Sequence, residues 1–204
     1  MPPTFIFLRH GEAQHNVAYK EHGASVFKDE AYRDPPLTSK GEGQASAVGK
    51  SLFSYPILDI WCSPLTRCIQ TAENIFEEIN VNNIYFHDAL LELQVGGYTV
   101  CQRKPKAELK EKYGCWTLDF LADIPAVWTS VEPLSILRAR MMMFLSYLAH
   151  FYRDKPETSH VLIISHQYAI HSLTGVSLKT AEFVKRTWQE LQEGKIDAKV
   201  PSEE

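Results

Sequence analysis

The chain has 204 residues, of which 45% are hydrophobic and 23% charged, and its formal net charge is −4 at pH 7. This size and composition are typical of a single globular domain, and we expect residues 1–204 to form one. The acidic net charge argues against general nucleic-acid binding, which favours a basic domain. No apolar stretch reaches the about 20 residues of a membrane-spanning helix, so we expect no membrane association.

The beginning of the chain does not have the pattern of a secretory signal. Met1-Pro2-Pro3 carries no basic flank, and the apolar run behind it ends at Arg9. We therefore expect a cytoplasmic protein. The four cysteines show neither CxxC pairing nor zinc-ligand spacing, so they are predicted to be free thiols, with no metal site and no cofactor.

The first predicted strand runs directly into a reactive sequence. The apolar run Phe5-Ile6-Phe7-Leu8 is followed by Arg9-His10-Gly11-Glu12. A run this short indicates a strand buried on both faces, as in parallel sheets. The carboxyl end of such a strand is where open α/β sheets bind ligands. These residue types suggest that a histidine attacks a phosphoryl group while an arginine holds the anion.

Strand and helix signals then alternate, without repeats or low-complexity linkers. In the first half of the chain we predict a helix at 12–20, a helix from Thr38 or Ser39, a strand at 57–62, a helix capped by Ser63-Pro64 and a strand at 83–87. An irregular insert at 88–130 follows, with a helix at Pro105–Tyr113. The last predicted elements are a helix at 133–153, a strand at 161–164, a helix at 178–194 and a frayed acidic tail at 195–204. This order predicts a three-layer α/β/α sandwich with a mainly parallel central sheet. The insert is expected to cover the active site.

Polar residues follow three of the predicted strands. Arg9 and His10 follow the first, Arg67 comes soon after the second, and His166 follows the third. Because parallel strands end at the same edge of a sheet, these four side chains are expected to converge. Two arginines and two histidines suit a phosphate dianion, and helices that begin near residues 12, 64 and 166 would add backbone donors.

Taken singly, each of these side chains has a structural explanation. Arg9 alone fits a strand cap, Arg67 a solvated helix residue and His166 a satisfied interior histidine. Their shared position at strand ends favours the functional interpretation. The other histidines are predicted to have no catalytic role; they are His15, His22, His87, His150, His160 and His171.

Four sequence blocks extend this pattern over residues 4–175. They are Leu8-Arg9-His10-Gly11-Glu12 with Asn16, Pro36-Leu37-Thr38 with Gly41, Gln44 and Ala45, Ser63-Pro64-Leu65-x-Arg67-x-x-Gln70-Thr71-Ala72, and Ser165-His166. In sequence and in order, the blocks resemble those of the histidine phosphatase superfamily, which has the phosphoglycerate-mutase-like fold. The resemblance implies that His10 attacks phosphorus and becomes a phosphohistidine. The groups then expected to hold the phosphoryl oxygens are Arg9, Arg67, His166, Asn16 and backbone amides near Gly11.

The resemblance also implies a general acid within the insert. Glu92 in Leu90-Leu91-Glu92-Leu93 matches that block best, and Asp88 is the second choice. A glutamate among leucines is expected to have a raised pKa, as an acid working near neutral pH needs. The alternative is a loop carboxylate with no catalytic task. Glu12 is expected to be a local structural partner.

Some positions depart from the family pattern. Gln167 stands where the family usually has glycine, and it is expected either to fit the phosphate pocket or to narrow it. Arg103, with Lys104 and Lys106, is a candidate for binding a second anionic group of the substrate, and a solvated basic loop is the alternative. Beyond residue 178 we predict helix, where the family commonly has a further strand.

The sequence thus predicts a metal-independent phosphatase acting on a phosphorylated small molecule or phosphoprotein. A phosphomutase or phosphotransferase of the same fold is the first alternative, although the block around Glu92 lacks the Glu-Arg-x-Tyr-Gly context of true phosphoglycerate mutases. The second alternative is a pseudoenzyme that only binds a phosphorylated partner, and Gln167 is the feature in its favour. Neither the substrate nor the oligomeric state follows from the sequence.

Overall fold

The computed structural model of the chain describes residues 2–194, so the predicted acidic tail at 195–204 lies outside the described residues. The strands are β1 (Thr4–Arg9), β2 (Ile57–Cys62), β3 (Ile84–Phe86), β4 (His160–Ser165) and β5 (Phe183–Arg186). The α-helices are α1 (Gln14–His22), α2 (Ser39–Leu52), α3 (Thr66–Phe76), α4 (Lys106–Tyr113), α5 (Leu134–Phe151), α6 (Gln167–Thr174) and α7 (Trp188–Glu193). Short 3₁₀ turns connect several of them.

The strands form one sheet in the order β3-β2-β4-β1-β5. Strands β1 to β4 are parallel, whereas β5 runs antiparallel to β1. Alternate side chains of β1 point to opposite faces of the sheet. Ile6 and Leu8 pack with α2, α3 and α4, while Phe5 and Phe7 pack with α5, α6 and α7. The chain is therefore the predicted three-layer α/β/α sandwich with a mainly parallel sheet.

The prediction of one helix over 178–194 is wrong. Residues Phe183–Arg186 instead form β5, which pairs with the edge of β1. Ala181 has a φ of 60°, which interrupts a helix, and α7 begins only after Thr187. Thr187 and Glu190 form a capping box, which is a sequence signal for that later start.

Two further findings concern the chain as a whole. Within residues 2–194, no helix combines the length and apolarity needed to cross a bilayer. The four cysteines, which all lie within these residues, form no disulfide bond.

Two glycines allow the loop after β1 to approach the start of α2. A Cβ atom on Gly11 would lie 2.5 Å from the Gly41 carbonyl oxygen, and one on Gly41 would lie 2.0 Å from the Glu12 carbonyl oxygen. The Thr38 N–H also donates to this Glu12 oxygen at 2.9 Å. These backbone contacts hold the loop that carries His10.

We predict that Gly41→Ala lowers the free energy of unfolding by about 1–3 kcal/mol, because the new methyl group overlaps backbone that cannot move freely. Gly43→Ala is the matched control, since a Cβ atom there meets nothing within 4 Å in the same helix. The control should stabilise the protein by about 0.5–1 kcal/mol. Urea unfolding measures both values, and equal effects of the two substitutions would contradict the steric explanation.

Candidate active site

The structure brings His10, Arg67 and His166 into contact at the carboxyl edge of the sheet. Arg67 Nε lies 3.3 Å from His10 Nε2, and Arg67 Nη2 lies 3.3 Å from His166 Nδ1. The two imidazole rings are 5.2 Å apart between centroids. All three side chains are buried. They come from the ends of β1 and β4 and from the first turn of α3, as the strand-end argument predicts.

The hydrogen bonds of His10 determine which of its nitrogens is free to react. Nδ1 lies 2.8 Å from the Gly11 carbonyl oxygen, which only accepts, so Nδ1 carries the proton. Burial and the nearby charges of Arg67 and Arg9 hold the pKa of His10 well below its usual value of 6.5. The ring is therefore neutral at pH 7, and Nε2 has a lone pair directed at the Arg67 guanidinium.

Arg67 also determines the tautomer of His166. A guanidinium only donates, so His166 Nδ1 accepts from Arg67 and Nε2 carries the proton. Nε2 then donates to Ser63 Oγ at 2.8 Å. Burial and the charge of Arg67 keep the pKa of His166 well below its usual value. Both histidines beside the guanidinium are thus neutral.

The start of α3, which positions Arg67, is capped by a residue distant in sequence. The prediction that Ser63-Pro64 caps this helix is wrong, since α3 begins at Thr66. Asp34 Oδ1 accepts from the Thr66 N–H at 2.8 Å, and Oδ2 accepts from the Thr66 hydroxyl at 2.7 Å. Burial raises the pKa of Asp34. Its backbone has a φ of 43°, in the left-handed region.

Arg9 lies beside the histidines and is held through α6. Its Nη1 donates to Gln167 Oε1 at 3.1 Å and to the Leu178 carbonyl oxygen at 2.7 Å. Its Nε is buried and has no hydrogen-bond partner among the described residues. Gln167 therefore orients an arginine of the site, which a glycine at this position cannot do.

Glu92 lies at the amino-terminal end of α6. Its Oε2 accepts from the Tyr168 N–H at 3.2 Å, and its Oε1 accepts from the Ala169 N–H at 3.1 Å and the Leu93 N–H at 2.8 Å. Burial raises the pKa of Glu92, although these backbone donors and the charge of Arg67 oppose the rise. The net direction is the one a general acid near neutral pH requires.

Asn16 and the backbone amides near Gly11, which are predicted to hold the phosphoryl oxygens, already make hydrogen bonds within the chain. The Gly11 N–H donates to Thr71 Oγ1 at 3.1 Å, and the Glu12 N–H donates to Gln44 Oε1 at 2.8 Å. Asn16 Oδ1 accepts from the Ala13 N–H at 2.9 Å, which places Asn16 in the cap of α1, and its Nδ2 lies 3.2 Å from His15 Nε2. An amide nitrogen has two N–H groups, so the prediction that Asn16 binds a phosphoryl oxygen stands as a prediction. The Gly11 and Glu12 amides therefore have acceptors within the chain, and these hydrogen bonds fix the conformation of the loop after β1.

The backbone amides at the start of α6 also have an acceptor within the chain. The expected backbone donors near residue 166 include the Tyr168 and Ala169 amides, which Glu92 already occupies.

The structure places Arg103 in a structural ion pair rather than facing a substrate. Its side chain is fully buried, with Nε 2.6 Å from Asp88 Oδ1 and Nη2 2.9 Å from Asp88 Oδ2. Two further N–H groups donate to the carbonyl oxygens of Lys104 and Ala122 at 2.8 Å. Arg103 and Asp88 therefore satisfy each other. Glu12 is bound by Lys40 and Thr38, as expected of a local structural partner.

Sequence reasoning missed two residues that lie against the site. Thr71 accepts from the Gly11 N–H and donates to the Arg67 carbonyl oxygen at 2.7 Å. Its position four residues after Arg67, on the same face of α3, is the signal that indicates it. The sequence predicts no catalytic role for His15, yet its ring centroid lies 6.1 Å from that of His10. No spacing rule identifies His15 without the fold.

A 3₁₀ turn of the insert contacts the guanidinium of Arg67. Arg67 Nη1 donates to the Val100 carbonyl oxygen at 2.8 Å, within the 3₁₀ turn Thr99–Cys101. The Thr99 hydroxyl donates to the Asp29 carbonyl oxygen at 2.8 Å, and the Thr99 carbonyl oxygen accepts from the Asp34 N–H. The insert thus contributes an oxygen ligand to the guanidinium.

Comparison with known proteins identifies the family of this chain. The family model for the histidine phosphatase superfamily (branch 1) matches residues 5–190, and the chain belongs to this family. It is 29% identical over 163 residues to an adenosylcobalamin/alpha-ribazole phosphatase of Salmonella typhimurium, covering 78% of this chain and 72% of that protein. It is 30% identical over 183 residues to a protein of Salmonella paratyphi A named "Probable phosphoglycerate mutase GpmB", covering 88% of this chain and 76% of the relative.

Solved structures show the same fold. The ecdysone phosphate phosphatase of Bombix mori, solved with tungstate, superposes with a TM-score of 0.64 at 15% identity. The match covers 92% of this chain and 90% of that one. Fold and family are therefore established together.

The lowered pKa values of His10, His15 and His166 predict a pH-dependent stability. Below about pH 6.5 the unfolded chain protonates these rings while the folded protein does not, so acidification favours unfolding. The loss reaches about 1.4 kcal/mol per pH unit for each histidine. Urea unfolding between pH 7.5 and about 5.5 measures it, above the range where carboxylates of ordinary pKa titrate; Glu92 and Asp34, whose pKa values burial raises, contribute in the opposite direction. Nitrogen-15 NMR at about pH 6 should show that the His10 ring is protonated at Nδ1 alone. A ring protonated at both nitrogens at that pH would contradict the lowered pKa of His10.

Proposed function

We propose that the protein is a phosphatase that hydrolyses phosphate monoesters through a phosphohistidine on His10, without a metal ion. The observation that carries this proposal is the neutral His10, with its proton on Nδ1 and its Nε2 3.3 Å from Arg67 Nε. A nucleophile and an anion-binding cation are thus adjacent, and the relatives named as phosphatases support the same activity.

In the first step Nε2 of His10 attacks phosphorus, so that a P–N bond forms and the P–O bond to the leaving group breaks. Glu92 gives its proton to the leaving oxygen. In the second step Glu92 takes a proton from water, whose oxygen attacks phosphorus as the P–N bond breaks. Inorganic phosphate leaves, and both residues return to their initial protonation states.

The charge that develops on the phosphoryl oxygens is balanced by Arg67 and Arg9, and His166 becomes a further ligand when its Nε2–H exchanges Ser63 Oγ for a phosphoryl oxygen. Substrate binding then exchanges the Val100 carbonyl oxygen on Arg67 Nη1 for a phosphoryl oxygen. This exchange favours the substrate, because hydrogen bonds between ions are stronger than those to a neutral carbonyl.

We predict that His10→Ala abolishes hydrolysis of p-nitrophenyl phosphate, with a loss of at least about a thousandfold in kcat. Wild-type protein in excess EDTA should keep full activity and form an acid-labile phosphoenzyme after rapid quenching. His22→Ala is the matched control, since His22 is exposed at the far end of α1. Full activity of His10→Ala would contradict the nucleophile, and loss of wild-type activity in EDTA would contradict the metal-free mechanism.

Glu92→Gln should separate substrates by their leaving groups. An alkyl phosphate such as glycerol phosphate needs protonation of its leaving oxygen, so kcat should fall by about 10²–10⁴-fold. p-Nitrophenolate leaves without a proton, and its formation should fall much less. Glutamine keeps an oxygen that can accept from the α6 amides, which limits structural damage. Equal losses for both substrates would show that Glu92 is not the acid.

A phosphomutase is the second candidate, because one relative carries that name. A mutase transfers the phosphoryl group to a second hydroxyl instead of to water. Measuring phosphate release alongside phosphoryl transfer between phosphoglycerates distinguishes the two activities. Phosphate release in large excess supports the phosphatase, whereas efficient transfer with little release supports the mutase.

A further inference from the structure

A buried imidazole next to the nucleophile is not explained by the mechanism above. His15 lies in the first turn of α1, is only 7% exposed, and has its ring centroid 6.1 Å from that of His10. It also packs edge-on with Phe27, with centroids 6.5 Å apart. It therefore neighbours both the reacting histidine and an aromatic side chain.

The neighbouring asparagine determines the tautomer of His15. Asn16 Oδ1 accepts from the Ala13 N–H, so the Asn16 Nδ2 group carries the hydrogens. Nδ2 lies 3.2 Å from His15 Nε2, which must then accept. Burial and the charges of Arg67 and Arg9 lower the pKa of His15 well below its usual value, so the ring holds one proton. That proton is on Nδ1.

This N–H group is a buried donor without an acceptor. Among the described residues, His15 Nδ1 has no hydrogen-bond partner, and the same holds for Arg9 Nε. A buried donor left unpaired costs free energy, and such groups are rare in native proteins. Two of them lie in the segment that carries His10, and an anionic group beside His10 is the kind of acceptor that both donors need.

We propose that His15 donates its Nδ1–H to an oxygen of the phosphoryl group that His10 accepts. The inference rests on the proposed function for its ligand. A neutral imidazole adds a hydrogen bond to the pocket without adding a third positive charge beside Arg9 and Arg67. His15 is thus a further catalytic residue, and its substitution acts on phosphate binding as well as on turnover.

The test compares His15→Leu, which removes the donor, with His15→Asn, whose side-chain amide retains an N–H near the position of Nδ1. His22→Asn is the control on the same helix. The measurements are the Kd of inorganic phosphate by calorimetry, kcat/KM for p-nitrophenyl phosphate, and urea unfolding in phosphate-free buffer. We expect His15→Leu to weaken phosphate binding and lower kcat/KM by about 10- to 100-fold each. For His15→Asn both quantities should stay within a few-fold of the wild-type values, and for His22→Asn they should equal the wild-type values.

Unfolding separates this role from simple packing. If Nδ1–H is an unpaired donor, His15→Leu should be at least as stable as wild type without phosphate, because the cost of that donor disappears. Unchanged phosphate affinity in His15→Leu would overturn the proposal. So would parallel losses of stability and affinity in both His15 variants. If wild-type protein binds phosphate but hydrolyses no ester, the proposed function fails, while weaker binding by His15→Leu alone still supports the donor.

Discussion

The site depends on one buried positive charge. Arg67 is 2% exposed, and its guanidinium donates to His10, His166 and the Val100 carbonyl oxygen, all of which are uncharged. Among the ion pairs of residues 2–194, none involves Arg67. A buried cation surrounded by neutral acceptors is costly unless an anion joins it. Burial, together with the same cation, keeps the two histidines neutral, so the demand for an anion and the availability of a nucleophile share a cause.

Two carboxylates lie near this charge but are bound elsewhere. Asp34 accepts from the Thr66 N–H at the start of α3, and Glu92 accepts from the Tyr168 and Ala169 amides at the start of α6. Each therefore stabilises the helix end from which a site residue projects, and neither neutralises Arg67 directly. For Glu92 the two tasks are coupled. Protonation prepares it for the proposed role of general acid and weakens its attraction for the α6 amino terminus, so the proton and the helix end compete for one carboxylate.

The parts of this arrangement that the sequence predicts are those set by periodicity and topology. Short apolar runs define β1, β2 and β4, and parallel pairing then brings Arg9, His10, Arg67 and His166 to one edge. The errors concern pairings between distant residues. Arg103 has the charge expected of a substrate ligand, but its neutralisation by Asp88 depends on how the insert folds.

The same explanation covers the amides near Gly11, whose acceptors are Thr71 and Gln44 on other helices. His15 is the opposite case. A lone histidine is ordinarily structural, and only its distance from His10 and its unpaired Nδ1 set it apart. Residue type and position at a strand end identify the charged residues of a site. They do not show which of its hydrogen-bond donors already have acceptors within the folded chain. The unpaired donors that remain after those bonds are counted are the groups on which the proposed phosphate binding depends.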